Sequence, residues 1–316
     1  MKVISFDGAW DEDFMGVRPD EIEAIKLSSL MRFLGRSERV LHKVKGLKAL
    51  FYTYLFWSGS FDYVVDAAYN DLKGSPDIGY VHYPTRRSCG GFKLNYLPSY
   101  VLEGIFTPSA RYILTNSSWT LNLIRKCGAN GHVVHPPVDM IECGSYEKEN
   151  LVVGLGRLGK PWEGFIEIAR AVRSRRSDIK FVIAGYADSK SRIEELRALA
   201  RGSVEVIPNI SEEDRRELLC RAKAILHTHP AEHFGIAIVE AMSTGAVPIV
   251  HKDGGAWFDI VEEGRYGFGY DTIEEAVDAV VNAVGMGEEQ REEIKQKARQ
   301  YTYQNFKAKI LKLINE

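Results

Sequence analysis

Between Leu151 and Val172 the chain reads LVVGLGRLGKPWEGFIEIARAV, with Gly154, Gly156 and Gly159 after an apolar run and two cations, Arg157 and Lys160, among them. Glycines at a strand-to-helix turn let backbone amides approach an anion, and the helix N-terminus adds partial positive charge. With two cations in the loop, the chemistry is the gripping of a multiply charged phosphate group such as a diphosphate. Further along, seven residues separate two carboxylates, Glu232 and Glu240, and a glycine pair, Gly254-Gly255, follows. Carboxylates accept hydrogen bonds from hydroxyls. The set therefore suits a ligand that carries sugar or ribose hydroxyls together with phosphates.

The three glycines have the spacing of a dinucleotide-binding fingerprint, which also needs an acidic residue ending the next strand, about 20 residues on. That next strand is Lys180 to Ala184, and the chain continues AGYADSK, with Asp188 four residues past the strand. The acid is not at the tip. A diphosphate grip is thus favoured over a nicotinamide or flavin site, and an NAD-dependent dehydrogenase is a distant third reading.

The elements that must position these groups alternate. Short Val- and Ile-rich runs (KVISF, RVLHKV, DYVVD, IGYVHY, RYILTN, GHVVHPP) are interleaved with longer helical patterns, and after the polar stretch ECGSYEKEN the alternation restarts with LVVGLG, KFVIAGY, VEVIP, AILHT and AVPIV. Strands alternating with helices of ten or more residues mean βαβ units and parallel sheets. The expected fold class is α/β, with two Rossmann-like domains facing across a cleft. The expected boundaries are 1–145 for an N-terminal domain, 146–287 for a second domain and 288–316 for a C-terminal helix packing back on the first. A ligand belongs at the carboxyl ends of the strands.

Bulk properties narrow the class. A net charge of −2 and a pI near 6.5 argue against a nucleic-acid partner. Cys89, Cys127, Cys143 and Cys220 have neither Cys-x-x-Cys spacing nor His partners, so isolated thiols in a reducing compartment are expected. The opening MKVISFDGAW does not read as a signal peptide, and the apolar run Leu47 to Gly59 is short of the ~20 residues that span a bilayer. A soluble cytoplasmic protein is the expectation.

The stretch AILHTHPAEHFGIAIVEAMSTGAVPIVHKDGGAWFDIV, Ala224 to Val261, is the most informative. A strand ends near His227, a polar loop carries Glu232, His233, Phe234 and Gly235, and a helix runs from about Ile236 to Thr244 before Gly245 stops it. That helix is apolar all round, which predicts burial, and Glu240 interrupts it. A buried carboxylate needs a partner. The partner is either a ligand hydroxyl or, in the structural alternative, nearby backbone or an arginine.

These residues carry a resemblance. Glu232-x7-Glu240 inside EHFGIAIVEAMSTGAVPIV, followed by DGGAWFDIV, resembles the signature of the family-4 retaining glycosyltransferases of GT-B fold. GLGRLGKPWEGF is similar to their phosphate-contacting strand, loop and helix. YVHYPT, NSSWT and PPVD resemble segments of the branch containing the dolichol-pathway GDP-mannose-dependent α1,2-mannosyltransferase, and the likeness runs from about Ile78 to the C-terminus. It implies a nucleotide-sugar donor, a glycan or lipid-linked acceptor, no cofactor and no metal. Glu240 would hold the donor ribose, and Glu232 the sugar hydroxyls beside the anomeric carbon. His233, Phe234, Gly235 and Ile236 would face the sugar or diphosphate along with Gly156. Arg157 and Lys160 would offset the leaving diphosphate, and His82 would reach the reacting sugar unless it is a structural histidine. Pro208, Asn209 and Ile210, in IPNIS, would lie by the base.

Two departures stand against the family pattern. Lys160 lies three residues beyond Arg157 rather than five, with Trp162 in the usual lysine place, and the first loop, FDGAWDED, offers one glycine, Gly8, among acids. Asp11-x-Asp13 there reads as a solvated acidic turn rather than a metal motif. Cations outnumber acids between Lys26 and Lys48, beside the aromatic Leu47 run. That suits either peripheral membrane contact or a solvated helix face on a core helix. A hexosyltransferase using GDP-mannose leads, ahead of the same fold with a UDP-sugar and of a non-catalytic nucleotide-sugar-binding module.

Overall fold

Runs such as Leu151–Val153 and Ala224–Leu226 are apolar without alternation because the strands they form are covered on both faces. The computed structural model of the chain describes residues 2–3, 23–24, 65–66, 77–83, 110–126 and 128–315. Two units divide the chain: Met1–Asp66, Leu72–Ile78 and Gly91–Arg111 form one, and Ala67–Asp71, Gly79–Gly90 and Tyr112–Glu316 form the other. In the first, Lys2–Val3 pairs in parallel with Glu23–Ala24. Gly8, the Asp11 and Asp13 turn and the Lys26–Gly59 stretch lie outside the described residues, as do Cys89 and Cys127.

Strands β1 (Ile78–Val81), β2 (Tyr112–Thr115) and β3 (His132–Val133) lie side by side, with helix α1 (Ser118–Lys126) between β2 and β3 in the chain. A six-stranded parallel sheet follows. Its elements in chain order are β4 (Glu149–Leu155), α2 (Glu163–Arg175), β5 (Lys180–Gly185), α3 (Lys190–Ala200), β6 (Glu205–Pro208), α4 (Glu212–Arg221), β7 (Ala222–Leu226), α5 (Ile236–Ser243), β8 (Val247–His251), a π-helical turn (Ala256–Ile260), β9 (Phe268–Tyr270) and α6 (Ile273–Gly285). The strand order is β9-β8-β7-β4-β5-β6, all parallel. The fold class is therefore α/β with Rossmann-like parallel sheets, as the alternation predicts. The order reverses between β4 and β7, and such a switch point opens a crevice at the strand carboxyl ends. The strand β9 is three residues long and was not legible as a separate run.

Trp162, Phe165, Ile183, Met242 and Val280 are in the core on one side of the sheet, and Leu151, Val153, Ala184, Leu219 and Ala241 on the other. Ser211 caps α4 by accepting from the Asp214 amide at 3.0 Å, with three acids in the first turn and Arg221 in the last. Caps of this kind are worth roughly 1 kcal/mol.

The tail is not one continuous helix. It comprises α7 (Glu288–Ala298), a 3-10 turn (Arg299–Tyr301) and α8 (Tyr303–Asn315). Arg291, which reads as a surface charge, is 1% exposed. Its guanidinium donates to the carbonyls of Lys223, Gly245, Ala283 and Met286 at 2.6 to 3.1 Å, so its planar fork joins β7, the turn after α5 and the end of α6. In α8, Phe306 lies edge-on to Tyr80 at 6.5 Å.

The polar stretch before β4 is tied down along its length. The Val138 amide donates to Tyr301 O at 2.8 Å, and the Ile141 amide to Ser243 Oγ at 3.0 Å. Lys148 Nζ donates to Ala222 O at 2.7 Å and to Leu219 O and Thr244 Oγ1 at 3.3 Å. Burial, with help from the charges of Arg291 and Lys295, pushes the Lys148 amine down to about 7. Cys143 and Cys220 form a disulfide with their Cα atoms 5.6 Å apart, which corrects the expectation of isolated thiols for this pair. Spacing gave no signal, since 77 residues separate them and only the return of α4 to the segment before β4 brings them together.

Closing a loop of that length constrains the unfolded chain by about 4 kcal/mol. Dithiothreitol, or Cys143→Ser with Cys220→Ser, is expected to lower the denaturant midpoint accordingly. A midpoint insensitive to reductant would show that the two sulfurs are not joined.

Candidate active site

The loop after β4 continues the sheet before it turns. The Gly156 amide donates to Ala184 O at 3.1 Å and the Leu158 amide to Tyr186 O at 2.7 Å. Trp162, 2% exposed, fills the space beneath and donates its indole N–H to Arg157 O at 3.2 Å. A Cβ on Gly154 would lie 2.7 Å from the rings of both Trp162 and Phe165, so this glycine serves helix-to-strand packing. From α3, Arg192 donates to Leu158 O at 3.3 Å and Lys160 O at 3.0 Å and pairs with Glu163 and Glu195. The loop is thus braced from below and from the side. Arg157 and Lys160 themselves are exposed, and among the described residues neither forms an ion pair. Trp162 stands in the usual lysine place because it is core.

Next to it, at the end of β7, the chain passes through His227, Thr228 and His229 into the loop bearing Glu232. Glu232 Oε2 lies 3.1 Å from His227 Nε2, and Oε1 accepts from the Phe234 amide at 3.4 Å. Burial opposes the charge, but His227, the nearby Lys160 and the Phe234 amide outweigh it and hold the carboxyl at about 2. Burial, with the neighbouring His227 and Lys160, pushes His229 down to about 4.

The loop is held by a close backbone approach. The Gly255 amide donates to Glu232 O at 2.7 Å and the Ala231 amide to Asp253 Oδ1 at 2.9 Å. Gly254 has φ +73°, and a Cβ there would come within 2.4 Å of Glu232 O; one on Gly255 would come within 2.0 Å of His233 O. The Gly255 amide is therefore already engaged within the protein. The pair exists to let two loops touch.

His233 stacks on Tyr83 with centroids 4.5 Å apart and on Trp119 at 5.8 Å, the planes within 16° in both cases. His82 lies beside this stack, edge-on to Tyr80 at 5.0 Å. Burial and the neighbouring His233 push His82 down, and burial likewise lowers His233. Phe234 is buried against His135 and Tyr301.

On α5 the pattern departs from burial all round: Ile236, at its first position, is 50% exposed, because it opens onto the strand ends. Glu240 Oε2 pairs with Arg215 Nη1 at 2.6 Å, and burial raises this carboxyl despite the arginine. The arginine of the structural alternative is thus present, while no hydrogen bond among the described residues reaches Oε1. Glu212 takes the other end of the same guanidinium at 2.7 Å. After β6, Asn209 has φ 52°; its amide donates to Gly185 O at 2.7 Å and its Oδ1 accepts from the Ala187 amide at 3.0 Å. The Asn209 side chain therefore braces the neighbouring loop, between half-buried Pro208 and Ile210.

Four groups went unread in the sequence. His227 and His229 were visible as a His-x-His at a strand end, and Arg215 only as one of several charges on α4. The fourth is a network: Asp259 accepts from the Ser118 amide at 3.0 Å, from Ser118 Oγ at 2.8 Å and from His135 Nε2 at 2.9 Å. It thereby joins the π-helical turn to the N-terminus of α1, and more than a hundred residues of separation hid it.

Residues 139–301, more than half of the chain, match the model of the family "Glycosyl transferases group 1". The chain belongs to that family. It is similar to the GDP-Man:Man(3)GlcNAc(2)-PP-Dol alpha-1,2-mannosyltransferase of Mus musculus, 30% identical over 232 residues, 65% of this chain and 47% of the relative. The protein of the same name from Homo sapiens is 28% identical over 247 residues, 68% of this chain and 50% of the relative. The chain spans about half the length of these curated relatives. Among solved structures, TarM superposes with a TM-score of 0.58 at 18% identity, covering 76% of this chain and 50% of TarM. AviGT4, a glycosyltransferase involved in Avilamycin A biosynthesis, gives 0.50 at 19% identity, covering 76% of this chain and 74% of its own. The fold neighbours are of the GT-B kind expected.

Because the Glu232 carboxyl is held below its unfolded value, its charge stabilises the fold fully above about pH 4.5, and that contribution fades as pH falls toward 2. The stability difference between wild type and Glu232→Gln is expected to shrink by roughly 2–3 kcal/mol over this window. Parallel pH profiles for the two proteins would contradict the assignment.

Proposed function

We propose that the chain is a retaining hexosyltransferase that moves mannose from GDP-mannose to a glycan or lipid-linked acceptor without a metal. The observation that carries the reading is the approach, at one switch point, of Lys160 to the anionic Glu232, with Arg157 exposed on the same loop as Lys160. Family membership supports glycosyl transfer, and the names of the mouse and human relatives support the donor and the lipid-linked acceptor.

In this reaction the bond from the anomeric carbon to the diphosphate oxygen breaks, and its electron pair leaves with the diphosphate. Arg157 and Lys160 offset that charge. Removing such a donor in a pre-organised site costs about 3–4 kcal/mol of barrier. Positive charge grows on the sugar ring, and Glu232 faces it as a carboxylate while accepting from sugar hydroxyls. The acceptor hydroxyl forms the new carbon–oxygen bond on the face the diphosphate leaves and passes its proton to the departing diphosphate oxygen, which gives retention. Glu240, steadied by Arg215, is left to accept from ribose hydroxyls. His82, Gly235 and Ile236 border the sugar, and Phe234 supports Glu232 from beneath through its amide.

No helix among the described residues is long and apolar enough to cross a membrane. Peripheral contact with a lipid-linked acceptor is part of the proposal. The UDP-sugar reading stays as its second form, because the Asn209 side chain bonds to backbone and offers no base code.

Thermal-shift titration with GDP, GDP-mannose, UDP, UDP-glucose and NAD tests the donor. A ligand at 100 times its Kd adds about 2.7 kcal/mol, so selective stabilisation by the GDP compounds is expected. Stabilisation by UDP compounds alone would replace the donor, and by NAD alone would overturn the proposal. Glu240→Ala is expected to weaken donor binding sharply. Arg157→Ala is expected to lower kcat by roughly 100-fold or more in assays with and without EDTA.

A further inference from the structure

We propose that His227 is a positioning residue for the site. It presents a singly protonated imidazole whose Nε2–H holds Glu232 Oε2, and its bare Nδ1 leaves the pair with the full negative charge of the carboxylate. The functional weight of this inference rests on the hexosyltransferase reading, whereas the protonation pattern does not.

The root of the imidazole is fixed by three hydrogen bonds from two neighbouring strands, β8 and β9. The His227 amide donates to Ile249 O in β8 at 2.9 Å, Tyr270 OH in β9 donates to His227 O at 3.1 Å, and His251 Nε2 donates to Thr228 O at 3.3 Å. His251 and Tyr270 pack ring against ring at 4.4 Å, so the two anchors support one another. With its backbone held on both sides and its side chain nine-tenths buried, His227 has one direction in which to point. That direction ends 3.1 Å from Glu232 Oε2.

The two ring nitrogens stand in different surroundings. Nε2 faces a carboxylate and must donate. Nδ1 is buried and has no hydrogen-bond partner, and the neighbouring Thr228 Oγ1 and His229 Nε2 are in the same condition. A proton on Nδ1 would be a buried N–H with no acceptor, which is costly. Glu232 favours a second proton on the ring. Lys160, from the loop after β4, adds positive charge to the same cluster, and His229, edge-on to His227 at 5.3 Å, is itself held neutral by burial. Tyr270 OH and His251 Nε2 donate to backbone carbonyls, and neither reaches Nδ1.

The distinction matters because an imidazolium would cancel the carboxylate charge. A neutral N–H donor instead fixes the direction of the carboxylate and leaves its charge for the reacting sugar. One protein group thus sets geometry without altering the field.

The test begins with nitrogen NMR of histidine-labelled full-length protein at pH 7, with His227→Gln identifying the resonances. The expected pattern is one proton on Nε2 and a bare Nδ1. Two ring protons, or a proton on Nδ1 alone, would overturn the inference, and this readout needs no turnover. Kinetics of His227→Ala and His227→Gln follow, since the Gln amide can still donate to Glu232. Loss of roughly 30-fold or more in kcat is expected for Ala, with donor affinity changed less than about threefold and most of kcat restored by Gln. Equal loss in both variants would reduce His227 to packing. A protein with the expected NMR pattern and no hexose transfer to any acceptor would instead count against the proposed function.

Discussion

Everything at the strand ends hangs on one close approach, the hydrogen bond from the Gly255 amide to the carbonyl of Glu232. Two loops from neighbouring β-α units meet there with no side chain between them, and a Cβ on either glycine would force them apart. The contact sets the height of the Glu232 loop above the sheet. From that height follow the reach of His227 to the carboxylate, the stacking of His233 on Tyr83 and Trp119, and the burial of Phe234 against Tyr301. Asp253 and Asp259, flanking the same glycines, then tie the loop to β8 and to α1 respectively.

Charge is distributed around this contact with a clear division. Cations that brace are paired or donate to carbonyls, as Arg192, Arg215 and Arg291 do. Arg157 and Lys160 stand in solvent on a rigid loop. Pre-organised charge of this sort costs no reorganisation when an anion arrives. The rigidity comes from Trp162 below the loop and Arg192 beside it, both of which would pass in a sequence as ordinary helix residues.

How much of this was legible depended on the range over which each feature is encoded. The parallel sheet and its helices could be read because burial on both faces writes an uninterrupted apolar run into each strand. The Glu232 to Gly255 block was readable for the same reason, as a strand, loop, helix and strand in one continuous stretch. Pairings between distant segments left no local mark. The Cys143–Cys220 bridge, the Asp259 network and the Arg215–Glu240 pair each join residues whose neighbours in sequence say nothing of the partner. Arg291 misled in the other sense, since a charge in a polar helix normally faces water. Its burial depends on carbonyls of β7, the turn after α5 and the end of α6.

The hydrogen bond from the Val138 amide to the Tyr301 carbonyl carries a last consequence. The family match starts one residue after the first and ends on the second. The chain therefore enters and leaves this module at a single point, like a bag drawn closed at its neck. A module whose two ends coincide can be lifted from one chain and set into another without stretching either host. Its stitching is supplied from within, by Tyr301 and the helix α7 before it, so the edge of the matched segment lies past the last strand and its covering helix.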